Sequence, residues 1–180
     1  MFAQFLQVAP VGEETLARWA PRVPEPVAQV WREQGCGLVG DGFVRVVDPD
    51  RAMMMLGGIG LPEGAVPVFT TALADLLLWV EPVFAVARFR FGVIDIVGVD
   101  AAQLIADLQH DAFLDQTLAR APYAEGVARL GVPGIDECFG FVPLLALGGR
   151  GDAASLDRCG LWEHLALVSQ LAGPPRSRPR

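Results

Sequence analysis

The chain has 180 residues and a formal net charge of −7, and it is 52% apolar and 19% charged. This balance excludes intrinsic disorder and predicts one domain, or two small packed parts, around a large buried core. All 14 basic residues are arginine, which excludes a Schiff-base lysine and the lysine of a phosphate-binding loop. The acidic balance makes direct binding of nucleic acid unfavourable and suits a basic partner.

No apolar run reaches the roughly 18 residues that a membrane-spanning helix needs. The N-terminus lacks the basic start and the long apolar stretch of a signal peptide. We therefore expect a cytoplasmic protein that does not contact a membrane. The three cysteines, Cys36, Cys138 and Cys159, are an odd and widely spaced set, for which reduced thiols are expected.

Apolar periodicity and turn residues predict the secondary structure of the N-terminal part. The predicted helices cover residues 11–20, 26–34 and 51–56, and the predicted strands cover residues 36–39 and 43–47. Asp41-Gly42 is a strong turn signal, so the two strands should form a β-hairpin. Asp48, followed by Pro49, is placed to end the hairpin and to cap the third helix.

The rest of the sequence predicts a sheet followed by helices. Strands are expected at 66–71, 76–81, 83–91 and 93–97, and helices at 101–108, 111–118, 123–130 and 161–171. Alternation along residues 83–91 puts Arg88 and Arg90 on the wetter face of an antiparallel meander. Residues 135–149 are predicted to be irregular, and residues 174–180 to be a disordered tail.

These elements indicate an α+β fold with a mostly antiparallel twisted sheet, flanking helices and a helix-rich C-terminal half. A weak boundary near residues 98–100 separates a sheet-rich part, residues 1–98, from a helix-rich part, residues 99–173, which precedes the tail at 174–180. The two parts are expected to form one compact unit.

Signatures of catalysis or metal binding are scarce. His110 and His164 belong to no metal-binding pattern, although folding could gather Cys138 and His164. No serine has the Gly-x-Ser-x-Gly context of a nucleophile. The adjacent Asp136 and Glu137 could perform acid–base work or bind a cation, or they could cap the backbone of the next segment. The residues indicate no cofactor and no metal.

Two patches resemble bacterial families. Residues 24–49 hold a proline-led helix with Val-Trp-Arg-Glu-Gln-Gly, a glycine-containing hairpin and a Val-Asp-Pro stop. This patch resembles the GAD-like domain of bacterial immunity proteins. Residues 134–149 read Gly-Ile-Asp-Glu-Cys-Phe-Gly-Phe-Val-Pro and then Leu-Leu-Ala-Leu-Gly-Gly. They are similar to the C-terminal domain of type VI secretion system (T6SS) immunity proteins that neutralise DNase effectors, as are residues 71–75 and 162–165.

The resemblance extends over roughly residues 10–173, with a GAD-like part at 1–98 and an immunity part at 99–173. It implies an antitoxin that binds a cognate T6SS toxin, a basic nuclease, and inhibits it without catalysis. Phe139, Phe141, Pro143 and the leucines that follow look like core, so the motif that carries the resemblance need not be the binding site.

The candidate toxin-binding residues are chosen by charge, because carboxylates facing arginine or lysine on a nuclease steer association and set specificity. They are Asp41, Asp48, Asp50, Asp111, Asp115, Asp136 and Glu137. Each could instead be a helix cap or a solvated surface charge.

Two other functions compete with toxin neutralisation. A small enzyme or metal-dependent hydrolase would use Asp136, Glu137 and His164, and it requires those groups to converge in a pocket. An adaptor or chaperone would bind an effector without blocking its activity.

Overall fold

A large sheet organises the protein in a computed structural model that describes residues 1–57 and 59–177. The strands in this part of the chain are β1 (Phe5–Ala9), β2 (Cys36–Val39), β3 (Val44–Val46), β4 (Val66–Thr71), β5 (Asp75–Val80), β6 (Val83–Arg88), β7 (Val93–Gly98), β8 (Glu137–Phe141), β9 (Leu156–Gly160) and β10 (Arg176–Ser177). The helices are α1 (Glu13–Trp19), α2 (Glu25–Glu33), α3 (Pro49–Met55), α4 (Ala101–Asp107), α5 (Asp111–Gln116), α6 (Tyr123–Leu130) and α7 (Leu161–Ala172). The predicted α+β fold is confirmed.

Strands β1 to β7 lie side by side in chain order and pair antiparallel, and β10 pairs parallel with β7. Strands β8 and β9 form a separate antiparallel pair. The amide of Phe139 in β8 donates to the carbonyl of Ala72, just after β4, at 2.7 Å. This hydrogen bond ties the C-terminal strand pair to the large sheet.

The central strands carry buried apolar side chains on both faces of the sheet. Leu77 of β5 faces a core formed with helices α2, α4 and α5. Its neighbours Leu76 and Leu78 point the other way, into a second core that contains Trp162 and Leu165 of α7. The predicted wetter face of the meander is therefore wrong, because α2, α4 and α5 cover the side of β6 that was expected to meet water, where Phe84 and Val86 are buried.

Arg88 and Arg90 both form ion pairs, and Arg90 is buried while Arg88 is partly buried. The chain leaves β6 after Arg88 and continues as a short 3-10 helix, Phe89–Phe91, instead of the longer predicted strand. Arg90 donates Nε to Asp75 Oδ1 at 3.2 Å and Nη2 to Asp75 Oδ2 at 2.8 Å. Arg88 pairs with Asp95 and also donates to the carbonyl of Thr117.

Two aspartates that the sequence predicts as helix caps do cap helices in the structure. Asp48 accepts from the amide of Arg51 at 3.1 Å and begins α3. Asp100 accepts from the amide of Gln103 at 2.8 Å and begins α4. The hairpin of β2 and β3 turns at Asp41-Gly42, where the φ of Gly42 is +86°, a conformation that glycine adopts without strain.

Four strands have no counterpart in the sequence prediction. β1 is an edge strand with a mostly exposed sequence. β8 lies within residues 135–149, which were expected to be irregular, and its partner β9 lies where no element was predicted. Arg176 and Ser177 form β10 within the predicted disordered tail, and residues 178–180 of that tail lie outside the described residues.

No helix among the described residues is long and apolar enough to cross a membrane.

We expect Asp75→Asn to lower the free energy of unfolding by about 3–5 kcal/mol, because it leaves the guanidinium of Arg90 buried without its counter-charge. The control Glu25→Gln breaks an exposed pair with Arg32 and should cost less than about 1 kcal/mol. Urea unfolding followed by circular dichroism measures both. Equal losses in the two variants would contradict the structural role of the buried pair.

Candidate functional site

Three of the seven candidate carboxylates converge on one arginine. Arg120 donates Nε to Asp115 and Nη2 to Asp111, each at 2.8 Å. Its Nη1 lies 3.8 Å from the carboxylate of Asp41. We name Asp41, Asp111, Asp115 and Arg120 the acidic cluster.

Local structure explains this convergence. Asp111 and Asp115 are four residues apart on α5 and therefore share one face of the helix. Asp41 sits in the β2–β3 turn, which the hydroxyl of Tyr123 holds by donating to the Asp41 carbonyl at 2.7 Å. Arg120 lies between α5 and the β2–β3 turn and contacts carboxylates of both.

The cluster keeps a negative charge that faces solvent. Three carboxylates around one guanidinium leave a local charge of −2. The side chain of Asp111 is 86% exposed, whereas that of Arg120 is only 17% exposed. The hydrogen bond to Asp115 raises the pKa of Arg120, so the guanidinium stays charged. Outer carboxylate oxygens are therefore available to a basic partner.

A groove of about 370 Å³ lies beside the acidic cluster. Its walls come from the N-terminal segment, the β2–β3 turn and the α4–α5 region, and its polar lining includes Gln4 and Gln109 with Asp41, Asp111 and Arg120. A partner side chain that enters this groove would meet apolar walls and a negative rim.

Asp48 and Asp136 meet at a second, smaller groove of about 200 Å³. Arg51 lies between them, because its amide donates to Asp48 and its Nη2 lies 2.9 Å from Asp136 Oδ2. The indole of Trp162 donates to Asp136 Oδ1 at 3.1 Å. Asp136 thus ties α3 to α7, which is a structural role.

Asp50 and Glu137 are each held by local partners. Asp50 accepts from the indole of Trp19 and from Arg18, each at 2.6 Å, and from the hydroxyl of Thr15 at 2.9 Å. It therefore fastens α1 to α3. Glu137 accepts from the amide of Gly134 at 2.8 Å and from Arg158 at 3.2 Å.

The groups required by the hydrolase hypothesis do not share a pocket among the described residues. Asp136 lines the groove beside Arg51, while His164 lines a separate, smaller hollow. Glu137 turns to Arg158. The described residues also contain no group of three or more His, Cys, Asp or Glu that could hold a metal ion.

The run at residues 134–149 acts mainly in packing. Phe139 and Phe141 are buried, as the sequence predicts, and Cys138 is buried as well. Pro143 and Leu147 are exposed, contrary to the expectation of core, because the chain leaves the sheet after β8 and crosses the surface in a 3-10 turn.

Sequence reasoning missed the two arginines that order the carboxylates, Arg120 and Arg51. A signal for Arg120 was present, since Asp111 and Asp115 share a helical face and a basic residue follows the helix. The pairing of Arg51 with Asp136 joins residues far apart in the chain and leaves no local signal.

A wider, more open hollow of about 760 Å³ is lined by Trp19, Met53 and Trp79. None of the candidate carboxylates lines this hollow.

Residues 100–172 match the family model described as T6SS immunity protein Tdi1, C-terminal. This part of the chain is similar to the C-terminal domain of a T6SS immunity protein. The match contains Asp111, Asp115 and Arg120 of the acidic cluster, whereas Asp41 lies before it. No curated protein matches the chain.

The crystal structure of Atu4351 from Agrobacterium tumefaciens is similar to this protein, with a TM-score of 0.73 and 16% sequence identity. The alignment covers 94% of this chain and 86% of the other. At this identity the likeness shows a shared fold, and the fold therefore extends well beyond the residues of the family match.

We expect Asp50→Asn to lower the free energy of unfolding by about 1–3 kcal/mol near neutral pH, because the largely buried indole of Trp19 loses a charged acceptor. The hydrogen bond from Trp19 lowers the pKa of Asp50 in the folded state. The stabilisation is therefore complete above the ordinary aspartate pKa of about 3.9 and is lost as the pH falls through the folded pKa.

Urea unfolding at neutral and at acid pH measures this linkage. The difference between the wild type and Asp50→Asn should shrink at acid pH. Glu14→Gln, an exposed change on the same helix α1, should show no comparable trend. A difference that stays constant with pH would contradict the assignment.

Proposed function

We propose that the protein is an immunity protein that binds a cognate T6SS toxin and neutralises it, and that this toxin is a nuclease with a basic face. The match of residues 100–172 to the Tdi1 C-terminal family carries the proposal of immunity. The formal net charge of −7 and the exposed acidic cluster support a basic partner.

Both parts of the chain contribute to this function. The sheet-rich part, residues 1–98, acts as a GAD-like unit that supplies the β2–β3 turn with Asp41. The helix-rich part, residues 99–173, supplies α5 and Arg120. The protein inhibits by binding, has no catalytic turnover of its own, and acts in the cytoplasm, where a nuclease would reach its DNA target.

Inhibition through the acidic cluster follows from electrostatic complementarity. A nuclease needs a positive surface for phosphate contacts. Carboxylates that occupy this surface compete with the phosphates for the same arginine and lysine side chains. The cluster would therefore steer association and block the substrate path with one set of contacts.

Asp41→Asn, Asp111→Asn and Asp115→Asn, combined in one variant, should slow association with the toxin by about 10–100-fold at low salt. The change turns the local charge from −2 to +1 around Arg120, which then repels the basic face. Stopped-flow or surface plasmon resonance measures the rate, and the defect should narrow as salt screens the charges.

A matched triple variant, Glu33→Gln, Glu63→Gln and Glu125→Gln, removes the same total charge from exposed positions outside the acidic cluster. It should slow association less than about threefold. Equal slowing in both variants would show that the net charge of the protein, and not the acidic cluster, guides docking.

Co-expression with a candidate T6SS nuclease toxin tests the function itself. We expect cell survival, an equimolar complex on gel filtration, and no degradation of plasmid DNA by the purified complex. The free toxin should degrade the DNA.

The outcomes separate the competing functions. Cell survival with a complex, but with no DNA cleavage by the free toxin, would support the immunity function and contradict the proposal that the toxin is a nuclease. A stable complex without rescue would favour an adaptor or chaperone. The absence of both complex and rescue would contradict neutralisation of that toxin.

A further inference from the structure

Two thiols face each other across the short β8–β9 sheet. Cys138 and Cys159 are register partners, and their Sγ atoms lie 3.5 Å apart. Cys138 is fully buried, whereas Cys159 is partly exposed. An oxidant from solvent therefore meets Cys159 first and finds Cys138 directly behind it.

The backbone geometry of the pair permits a disulfide. The amide of Leu161 donates to Asp136 at 2.8 Å, and the amide of Val142 donates to Ser155 at 2.7 Å. Because hydrogen-bonded pairs recur at every second residue of an antiparallel ladder, Cys138 and Cys159 also form such a pair. Their Cα atoms are then about 5.5 Å apart, within the range of about 4.4–6.8 Å for disulfides.

His164 of α7 completes the arrangement. Gly140 lies two residues after Cys138 on the same face of β8, and a Cβ there would come within 2.8 Å of His164 Nδ1 and 3.0 Å of Cys159 Sγ. The missing side chain at Gly140 leaves room for the imidazole to reach the thiol. Hydrogen bonds from Cys138 and from His164 lower the pKa of Cys159.

The pKa of the third cysteine, Cys36, shifts in the opposite direction to that of Cys159. Burial raises the pKa of Cys36 to about 12, and Cys36 lies on β2 of the other sheet. A thiol reacts as its thiolate, so Cys36 should be inert where Cys159 is reactive.

We propose that Cys138 and Cys159 form a peroxide-responsive dithiol, in which a hydroperoxide oxidises Cys159 first and Cys138 then closes a reversible disulfide. His164 is a positioning residue that accepts the proton of Cys159. This inference stands independently of toxin binding.

Oxidation of the cysteine pair takes two steps. The Cys159 thiolate attacks one peroxide oxygen, the O–O bond breaks, and the leaving oxygen takes the proton that His164 accepted from Cys159, which gives a sulfenic acid and water or an alcohol. The sulfur of Cys138 then attacks the sulfenic sulfur, the S–O bond breaks, and the hydroxyl leaves with the Cys138 proton as water. Two thiols are oxidised by two electrons, and one peroxide is reduced.

Hydrogen peroxide titration of the full chain tests the proposal by mass spectrometry. The intact mass should fall by two hydrogen atoms, and trypsin should release peptides 130–150 and 159–176 joined by a disulfide. Dithiothreitol should restore the original mass. A linkage through Cys36, or overoxidation of Cys159 without a linkage, would overturn the proposal.

Two variants test the order of the steps. Cys138→Ala should stop at a sulfenic acid that dimedone traps on Cys159, whereas Cys159→Ser should form neither product. Cys36→Ser should behave as the wild type. Trapping on Cys138 in the Cys159→Ser variant, at the wild-type rate, would contradict the assigned order.

His164→Asn separates positioning from folding. We expect Cys159 to react with peroxide about tenfold more slowly at neutral pH, because less of it is thiolate. The pH midpoint of its alkylation by iodoacetamide should rise, while the circular dichroism spectrum stays unchanged. An unchanged midpoint would contradict the role of His164.

Discussion

The arrangement of the molecule depends on the buried ion pair between Asp75 and Arg90. Arg90 also donates to the carbonyl of Leu118 at 2.9 Å, so the segment that follows α5 is fixed to the large sheet. Ala119 follows with a φ of 50°, a left-handed conformation that the surrounding hydrogen bonds must hold. The chain reverses there and delivers Arg120 to the β2–β3 turn. A buried charge pair thus determines where the exposed acidic cluster stands.

Much of the fold could be predicted from local sequence signals. The elements that were not predicted depend on tertiary contacts. Asp48 and Asp100 cap helices because a short acidic side chain satisfies the first amides wherever a helix begins. Strands β4 to β7 carry long apolar runs. In contrast, β9 reads Leu-Asp-Arg-Cys-Gly and lacks both alternation and β-branched residues. It forms because β8 and α7 pack beside it, and that tertiary contact leaves no pattern in its own sequence.

The candidate site could be predicted only in part, since charge marks exposed carboxylates but not their partners. Asp111 and Asp115 were recognisable as neighbours on a helix, whereas the approach of Asp41 depends on the folded hairpin. The same limit explains why Asp50 and Asp136 were chosen. Both are acidic, yet the indoles of Trp19 and Trp162 and nearby arginines engage them in holding helices together.

An internal arginine gives the acidic cluster properties that free surface carboxylates would lack. Asp111 and Asp115 are already ordered by Arg120, so a partner loses less rotamer entropy when it orders them in the complex. The same guanidinium competes with every incoming cation. A weakly basic surface gains little, because the carboxylates keep their internal partner, whereas arginines in matching positions can use the outer oxygens without displacing it. Under the proposed function, the cluster would therefore discriminate between partners by geometry as well as by charge.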